Sequence, residues 1–445
     1  MAASLFDSPN YAKLFPVGDA GSLFTDTAEV RAMMLVEGTL AKLQGKAGTI
    51  PEISAQAIHR ASLELQIDHA GLGDATGQNG VSVPGLVAEF RKLMQAPEHA
   101  HYLHFGATSQ DITDTALMLR LRQLLGLQES ALKSMIAHFR KLATDHAETP
   151  MVARTYGQSA TLTSFGATVA SWGHPLIDLL DEMENLRAST LWVSLAGAAG
   201  TASVLGDDPT GLRAELAAAL GLQDPKRNWH NDRSPIQRIA AWQTRLTQAL
   251  GKFAQDILIH SQSTLKIVQI GATGGSSTMP QKENPVQASA IVALANQAVG
   301  LQTTLTLAAQ HKEARDGAAW FSEWLALPQL CLGAMAALTI SNDLSAAVSP
   351  NKTALSAQIT ATNEMIHAEA LSFELAKTMP RPAAQSAVKH LCQEALATES
   401  NLIALAKTQY PFIDAAQFGC AHQMGTATEQ AHAFAARAKK AEKTS

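Results

Sequence analysis

Apolar residues recur along most of this chain at intervals of three and four, the period of one helix face. From Asp26 onward, Val30, Met33, Met34 and Leu40 share a face, and Glu29, Arg31 and Glu37 fall mostly on another. Residues 1–25 carry Pro9, Pro16, Gly18 and Gly21 without such a period, which predicts an irregular arm. Pro51-Glu52-Ile53-Ser54 opens a short helix, Gly71, Gly73, Gly77 and Gly80 mark loops, and Val83-Pro84-Gly85-Leu86-Val87 leads into a helix through Met94. The region to residue 108 therefore reads as a set of short helices.

Beyond it the pattern lengthens. Asp111 to Glu148 is nearly continuous helix, broken only at Gly126. Thr161–Arg187, Val286–Gln310 and Phe321–Val348 give three more long segments. Ser234-Pro235 reads as an N-cap serine with proline at the first helical position. From there Ile239, Trp242, Leu246, Leu250, Phe253 and Ile257 run toward Gly271, roughly 35 residues or about 50 Å of helix. Five such helices predict an elongated bundle, and apolar residues on more than one face predict packing between subunits. After Ser349 the helices shorten again, with breaks at Pro380-Arg381-Pro382, Pro411 and Gly419 and a frayed Lys-rich end. The expectation is an all-α protein of three helical domains, 1–108, 109–348 and 349–445, around the long-helix bundle.

Composition narrows the class. Of 445 residues 46% are apolar but only 5% aromatic, which favours close-packed helices over a β-sandwich. The net charge of -5 without a basic run argues against a nucleic-acid partner. Cys331, Cys392 and Cys420 lie far apart and read as thiols of a reducing compartment, neither a disulfide framework nor a metal cluster. The N-terminus has no secretory pattern, and the uncharged stretch from Ala188 to Gly206, rich in Gly, Ala, Ser and Thr, is a poor membrane span. The expectation is a soluble cytoplasmic protein with no membrane partner.

Three polar strings stand out. Gly274-Gly275-Ser276-Ser277-Thr278-Met279-Pro280-Gln281-Lys282-Glu283-Asn284-Pro285 puts hydroxyls, a lysine and an amide on one loop between helices, with two glycines free to bend it. Gly-Gly-Ser-Ser alone would suit an ordinary turn. His104-Phe105-Gly106-Ala107-Thr108-Ser109-Gln110-Asp111 precedes the first long helix. Thr108 and Ser109 there are either caps or, with the free N–H groups of a helix start, an anion site. Trp229-His230-Asn231-Asp232-Arg233 precedes another helix and reads as surface or as site. His311 to Glu323, with Arg315 and Trp320, reads as a kinked helix connection with core tryptophans.

The twelve-residue loop matches G-S-S-x-M-P-x-K-x-N-P, the signature of the fumarase/aspartase superfamily, at every fixed position. The Thr108-Ser109-Gln110-Asp111 string resembles the first signature region of that superfamily. Arg154-Thr155-Tyr156-Gly157-Gln158 resembles the second and reads as the opening of the second long helix. In adenylosuccinate lyases the second region is R-T-H-G-Q with a general-acid histidine, and here Tyr156 stands in that place. An amine leaving group needs such an acid, whereas a carboxylate with a pKa near about 4 does not. The Gly77–Val87 run and Glu323-Trp324-Leu325-Ala326-Leu327-Pro328 are similar to the bacterial 3-carboxy-cis,cis-muconate cycloisomerase branch. That resemblance implies proton transfer by Ser276, charge stabilisation by Lys282, and substrate contacts from His104, Thr108, Ser109, Gln158, Arg233, Ser277, Met279 and Asn284. It also implies a tricarboxylate substrate and a homotetramer with active sites shared between subunits. No metal or cofactor is expected. An adenylosuccinate lyase or another fumarate-releasing lyase, and an inactive scaffold or binding protein, are the alternatives.

Overall fold

The computed structural model describes residues 4–271, 274–275, 278–279 and 281–443. It is 67% helical, and its strands are short hairpins and bridges, so the class is all-α. Contacts divide the chain into two compact units. The first holds residues 1–131, 181–248 and 293–339, and the second holds 132–180, 249–292 and 340–445. These units follow packing, whereas the boundaries at 108 and 348 follow helix length.

In the first unit α1 (Asp26–Lys46) starts where the apolar period starts, and the Thr25 hydroxyl caps it by accepting the Ala28 N–H at 3.2 Å. Its stripe is buried as expected, with one exception: Glu37, predicted on the polar face, is only 1% exposed. There follow α2 (Glu52–Glu64), α3 (Gly73–Asn79), α4 (Val83–Met94) and α5 (Pro97–Ala100). The expected loop at Gly73 and Gly77 is instead the short helix α3, and only Gly80 ends it, at φ +71°. The longest element is α6 (Ser109–Asp145), of 37 residues.

The second unit opens with the largest departure from the sequence reading. Residues 161–164 are not helical. Strand β1 (Pro150–Thr155) pairs antiparallel with β2 (Gln158–Ser164), and Tyr156-Gly157 is the two-residue turn between them. Both turn residues have positive φ, +52° and +77°, the geometry that matches the right-handed twist of a hairpin. Val152 and Leu162 pair across the hairpin and bury against Ile366, Met424 and Ala427. Alternation of period two, set by the Ala160-Thr161-Leu162-Thr163 run, overrides the helical reading there. The helix then begins as α7 (Phe165–Asp181), after which α8 (Met183–Thr190) and α9 (Pro209–Leu220) belong to the first unit.

The helix α10 (Ser234–His260) ends about ten residues before Gly271. The polar Ser261-Gln262-Ser263-Thr264 run supplies no apolar stripe, and the Ile267 N–H folds back to the His260 carbonyl at 2.9 Å. Its start also differs from expectation. The Arg233 carbonyl accepts the first helical bond from Gln237, and the Asp232 carboxylate accepts the Ser234 N–H, so Ser234 lies inside the helix. Strand β3 (Val268–Gln269) pairs with β6 (Ser349–Pro350), and β4 (Gly274–Gly275) pairs with β5 (Glu283–Asn284). Between them run α11 (Val286–Ala308) and α12 (Gly317–Ala347).

The chain closes with α13 (Lys352–Thr360), α14 (Ala368–Leu375), α15 (Arg381–Thr398), α16 (Leu402–Gln409), α17 (Cys420–Gln423) and α18 (Ala427–Ala441). A local core of Leu371, Leu375, Val388, Leu391, Leu402 and Phe418 joins α14 to α16. Phe139, Trp172 and Phe253 form a second core cluster, with ring centroids 5.1 to 6.0 Å apart. Cys331 is buried and burial pushes its thiol pKa up to about 12, while Cys392 and Cys420 are half-buried, and all three are free thiols. Both α11 and α12 are long and apolar enough to cross a membrane. The most apolar stretch of α12 is 72% buried within the protein, whereas that of α11 is 33% buried and leaves Val286, Val299 and Leu307 exposed.

Candidate active site

The head of α6 is built around the buried carboxylate of Asp111. One oxygen accepts the Ala196 N–H at 2.9 Å and the Ser194 hydroxyl at 3.1 Å, and lies 2.8 Å from His230 Nε2. The other accepts the Gly197 N–H at 2.9 Å and the Thr108 N–H at 3.1 Å. A carboxylate at a helix N-terminus is favoured by the helix dipole, and here it also ties the 194–197 segment to that terminus. Close approach requires glycine at two places. Gly106, at φ +75°, leaves no room for a Cβ against the Val204 carbonyl, and Gly197, at φ +73°, faces the Gly106 carbonyl.

Deeper along α6, Asp114 meets Arg233 through two contacts of 2.7 and 3.0 Å. Arg233 also reaches both oxygens of Glu323 on α12, at 3.0 and 2.6 Å. All three side chains are buried. Burial disfavours the Arg233 cation, but the two carboxylates overcome it and hold its pKa above the ordinary guanidinium range. Arg233, expected to touch substrate, is thus enclosed in a buried triad. Its Nε, Nη1 and Nη2 are all bonded to carboxylates, and no face of the guanidinium is open. His230 is likewise buried against Asp111 and sits in the same framework.

The cation that does face outward is Arg315. Its Nε donates to Gln110 Oε1 at 2.8 Å, and its Nη2 lies 3.3 Å from the Thr108 hydroxyl. Gln110 in turn donates to Asp114 at 3.1 Å and to the His230 carbonyl at 2.9 Å. A continuous chain of polar contacts thus runs from the exposed Arg315 to the buried Arg233. Reading by composition missed Arg315, Gln110 and Asp114. The Arg315-Asp316-Gly317 string read only as a helix connection, although Gly317 does begin α12. Thr108 and Ser109 are half-buried at the helix head, where hydroxyls, N–H groups and a guanidinium converge, as an anion site requires.

His104 is committed elsewhere. Its Nδ1 lies 2.6 Å from Glu37 Oε1, and its φ is +64°. Burial disfavours the imidazolium, but the charge and hydrogen bond of Glu37 outweigh it, and the His104 pKa is raised.

The remaining candidates lie in the second unit. Ser276 and Ser277, expected to act on substrate, lie outside the described residues. On either side of them Gly274 pairs with Asn284 and Gly275 with Glu283. Neither glycine uses positive φ, and Gly274 is needed because a Cβ there would meet Val286 at 2.5 Å. Lys282 is exposed, its N–H donating to the Met279 carbonyl at 3.0 Å, and Met279 is also exposed. Gln158 is exposed beside Tyr156, and Tyr156 is 104% exposed at the hairpin tip. The expected helix opening at Arg154–Gln158 is therefore a turn that presents the tyrosine to solvent. No group of His, Cys, Asp and Glu suited to hold a metal occurs among the described residues.

A long α6 entered through a Thr-Ser-x-Asp head and a Gly-Ser-Ser loop before α11 define a helical lyase. The Lyase family matches residues 21–300, and the chain belongs to that family, within the fumarase/aspartase superfamily. Among its relatives, the 3-carboxy-cis,cis-muconate cycloisomerase of Pseudomonas putida is 31% identical over 410 residues, which is 91% of this chain and 96% of that one. The crystal structure of the 3-carboxy-cis,cis-muconate lactonizing enzyme from Pseudomonas putida superposes with a TM-score of 0.90 at 28% identity, covering 98% of this chain and 100% of the other. The nitrosuccinate lyase of Streptomyces davaonensis is 35% identical over 321 residues, 69% of this chain and 67% of that enzyme.

Proposed function

We propose that this protein is a cycloisomerase that converts 3-carboxy-cis,cis-muconate to 4-carboxymuconolactone in aromatic catabolism. The observation that carries the reading is its 31% identity with such cycloisomerases along 91% of its length. Tyr156 in place of a general-acid histidine agrees with it, because a carboxylate nucleophile needs no acid to assist it.

In this reading one substrate carboxylate oxygen adds to a C=C carbon and forms the ring C–O bond. The π pair moves to the α-carbon of a neighbouring carboxylate, which takes on enolate-like dianion character. That α-carbon then receives a proton. Donors aimed at the developing charge supply most of the rate enhancement. Lys282 and Asn284 are the donors here, Ser276 delivers the proton, and Ser277 with Met279 flanks the same carboxylate. An ordinary serine is a weak acid and base, so the electropositive loop must assist it. Thr108, Ser109 and Arg315 bind a second carboxylate at the head of α6. Gln158 contacts substrate beside Tyr156, and His104, held by Glu37, lies in the segment that leads into α6.

We further propose a cytoplasmic homotetramer in which the three regions 1–108, 109–348 and 349–445 act as domains and the subunits share active sites. The uncharged α11, with Val286, Val299 and Leu307 exposed, calls for a covering partner. A second reading, a lyase that releases a fumarate-type product, is favoured by the 35% identity with nitrosuccinate lyase.

The test is ultraviolet absorbance of purified protein mixed with 3-carboxy-cis,cis-muconate, with nitrosuccinate and adenylosuccinate in parallel. Loss of diene absorbance in the first cuvette alone is the expected result. Turnover only in the others assigns a lyase, and no turnover in any supports an inactive scaffold.

A further inference from the structure

A cavity of ≈430 Å³ runs along α6 from Thr113 to Arg120 inside the first unit. Its far end lies about 16 Å along the helix from Ser109, from eleven residues at 1.5 Å each. One wall is apolar: Leu117 of α6, Val30 and Met33 of α1, and Leu327 and Trp324 of α12. Its volume is that of a small-molecule site.

The charge on its wall is Arg120, which is buried and only partly satisfied. Its Nε has no hydrogen-bond partner among the described residues. Nη1 reaches the Leu23 carbonyl only at 3.5 Å, and Nη2 reaches Glu29 only at 3.4 Å. Burial lowers the pKa of this guanidinium, and Glu29 offsets only part of that effect. Arg233, which meets α6 at Asp114, shows what full pairing looks like, with four contacts of 2.6 to 3.0 Å. A guanidinium presents five donors in a planar fork that fits a carboxylate.

We propose that this cavity binds a small aromatic monocarboxylate, with its carboxylate on the terminal nitrogens of Arg120, whose contacts within the chain are long, and its ring against Trp324, Leu117 and Leu327. Two acidic side chains fix the charge preference. Glu29 and Asp26 also line the cavity, so a second negative charge on the ligand is disfavoured. Glu323 lines it too, with both of its oxygens bonded to Arg233. The ligand is therefore a monoanion, unlike the tricarboxylate of the proposed reaction. The inference does not depend on that reaction.

Calorimetric titration of the full-length protein with benzoate tests it, with phthalate as the dianion and benzylamine as the cation. Saturable benzoate binding is expected with a Kd of about 1 mM or tighter, as suits a ligand of nine heavy atoms. Arg120→Met should weaken it at least tenfold, and phthalate should bind at least tenfold less tightly than benzoate. Leu117→Phe, which fills the cavity and keeps Arg120, should also abolish binding and carries the test if Arg120→Met does not fold. Quenching of tryptophan fluorescence by benzoate should disappear in Trp324→Phe. Absence of saturation, tighter binding of benzylamine, or unchanged binding in both cavity variants overturns the proposal. Turnover of 3-carboxy-cis,cis-muconate is read separately, so failure here leaves the assignment of the reaction untouched.

Discussion

Arg233 and Glu323 meet through two contacts of 3.0 and 2.6 Å, with both side chains buried and Asp114 closing the guanidinium from the other side. Two carboxylates around one buried cation form a triad whose members cannot be removed singly. Arg233→Met leaves Asp114 and Glu323 facing each other without a counter-charge. A loss of roughly 3–5 kcal/mol is expected. Urea denaturation of the variant should show the midpoint fall. Arg233→Lys should recover only part of it, because an ammonium cannot engage two carboxylates in fork geometry. A midpoint within error of the parent for Arg233→Met would return Arg233 to the surface role that its sequence position also allows.

Asp111 is the second such element, and it governs the geometry of the α6 head. Asp111→Ala leaves the N–H groups of Thr108, Ala196 and Gly197 and the Ser194 hydroxyl without their acceptor. Each unsatisfied buried donor costs about 1–3 kcal/mol, and partial relaxation reduces the sum. Destabilisation by several kcal/mol is expected, measured by thermal unfolding. In material that still folds, KM should rise, since Thr108 and Ser109 lose their fixed positions. A variant that unfolds like the parent and binds substrate normally would remove Asp111 from that role.

Much of this was legible in the sequence, and the gaps have specific causes. The start of α1, the whole of α4 and most of the four longest helices follow from apolar period and capping alone. The β1–β2 hairpin did not, because its turn is Tyr-Gly and not the Asn-Gly that signals one, and because Leu162 fits a helical stripe as well as an alternating one. Glu37 reads as a surface residue, since nothing local reveals that His104, 67 positions away, pairs with it. Arg233 and Arg315 are indistinguishable by type. Only the fold shows that one is enclosed by carboxylates and the other faces outward beside Thr108.

The His104–Glu37 pair sets a pH dependence of stability. The folded-state pKa of His104 is raised, so the stability it contributes is fully present below its unfolded value of about 6.5 and is lost as pH rises through the folded value. His146, His174, His260, His311 and His367 have lowered values from burial and act in the opposite sense, losing stability as pH falls below about 6.5. The His104 component is isolated by difference. Parent minus His104→Gln stability, from urea curves at pH 5.5 and 8.5, should be larger at pH 5.5. An equal difference at both pH values would show that the pair carries no proton linkage.

Lys282 should be needed for turnover and dispensable for folding. It is exposed beside β5, and among the described residues its backbone N–H donates to the Met279 carbonyl. Lys282→Ala is therefore expected to leave helical circular dichroism and assembly size unchanged. Removing a preorganised donor from the developing charge lowers kcat by about 10²–10³. Steady-state kinetics on the diene absorbance checks this. Near-normal kcat would shift the burden to Asn284 and the loop N–H groups.

Tyr156 ties conformational strain to function. A bulky aromatic residue at φ +52° is held in the left-handed region, where its Cβ crowds the backbone, and its ring is fully solvent-exposed in this chain. Among the described residues nothing covers the ring to offset that strain. Asparagine suits this turn position far better, so Tyr156→Asn should stabilise the hairpin by on the order of 1 kcal/mol. Strain kept against an easy alternative is the mark of a functional position. The same variant is therefore expected to lower kcat/KM at least tenfold while raising the unfolding midpoint. The two readings separate on one pair of measurements. Higher stability with lower activity places the Tyr156 ring against substrate or a neighbouring subunit. Higher stability with full activity makes it an ordinary, suboptimal turn residue and removes the argument that its substitution for histidine reflects the chemistry of the leaving group.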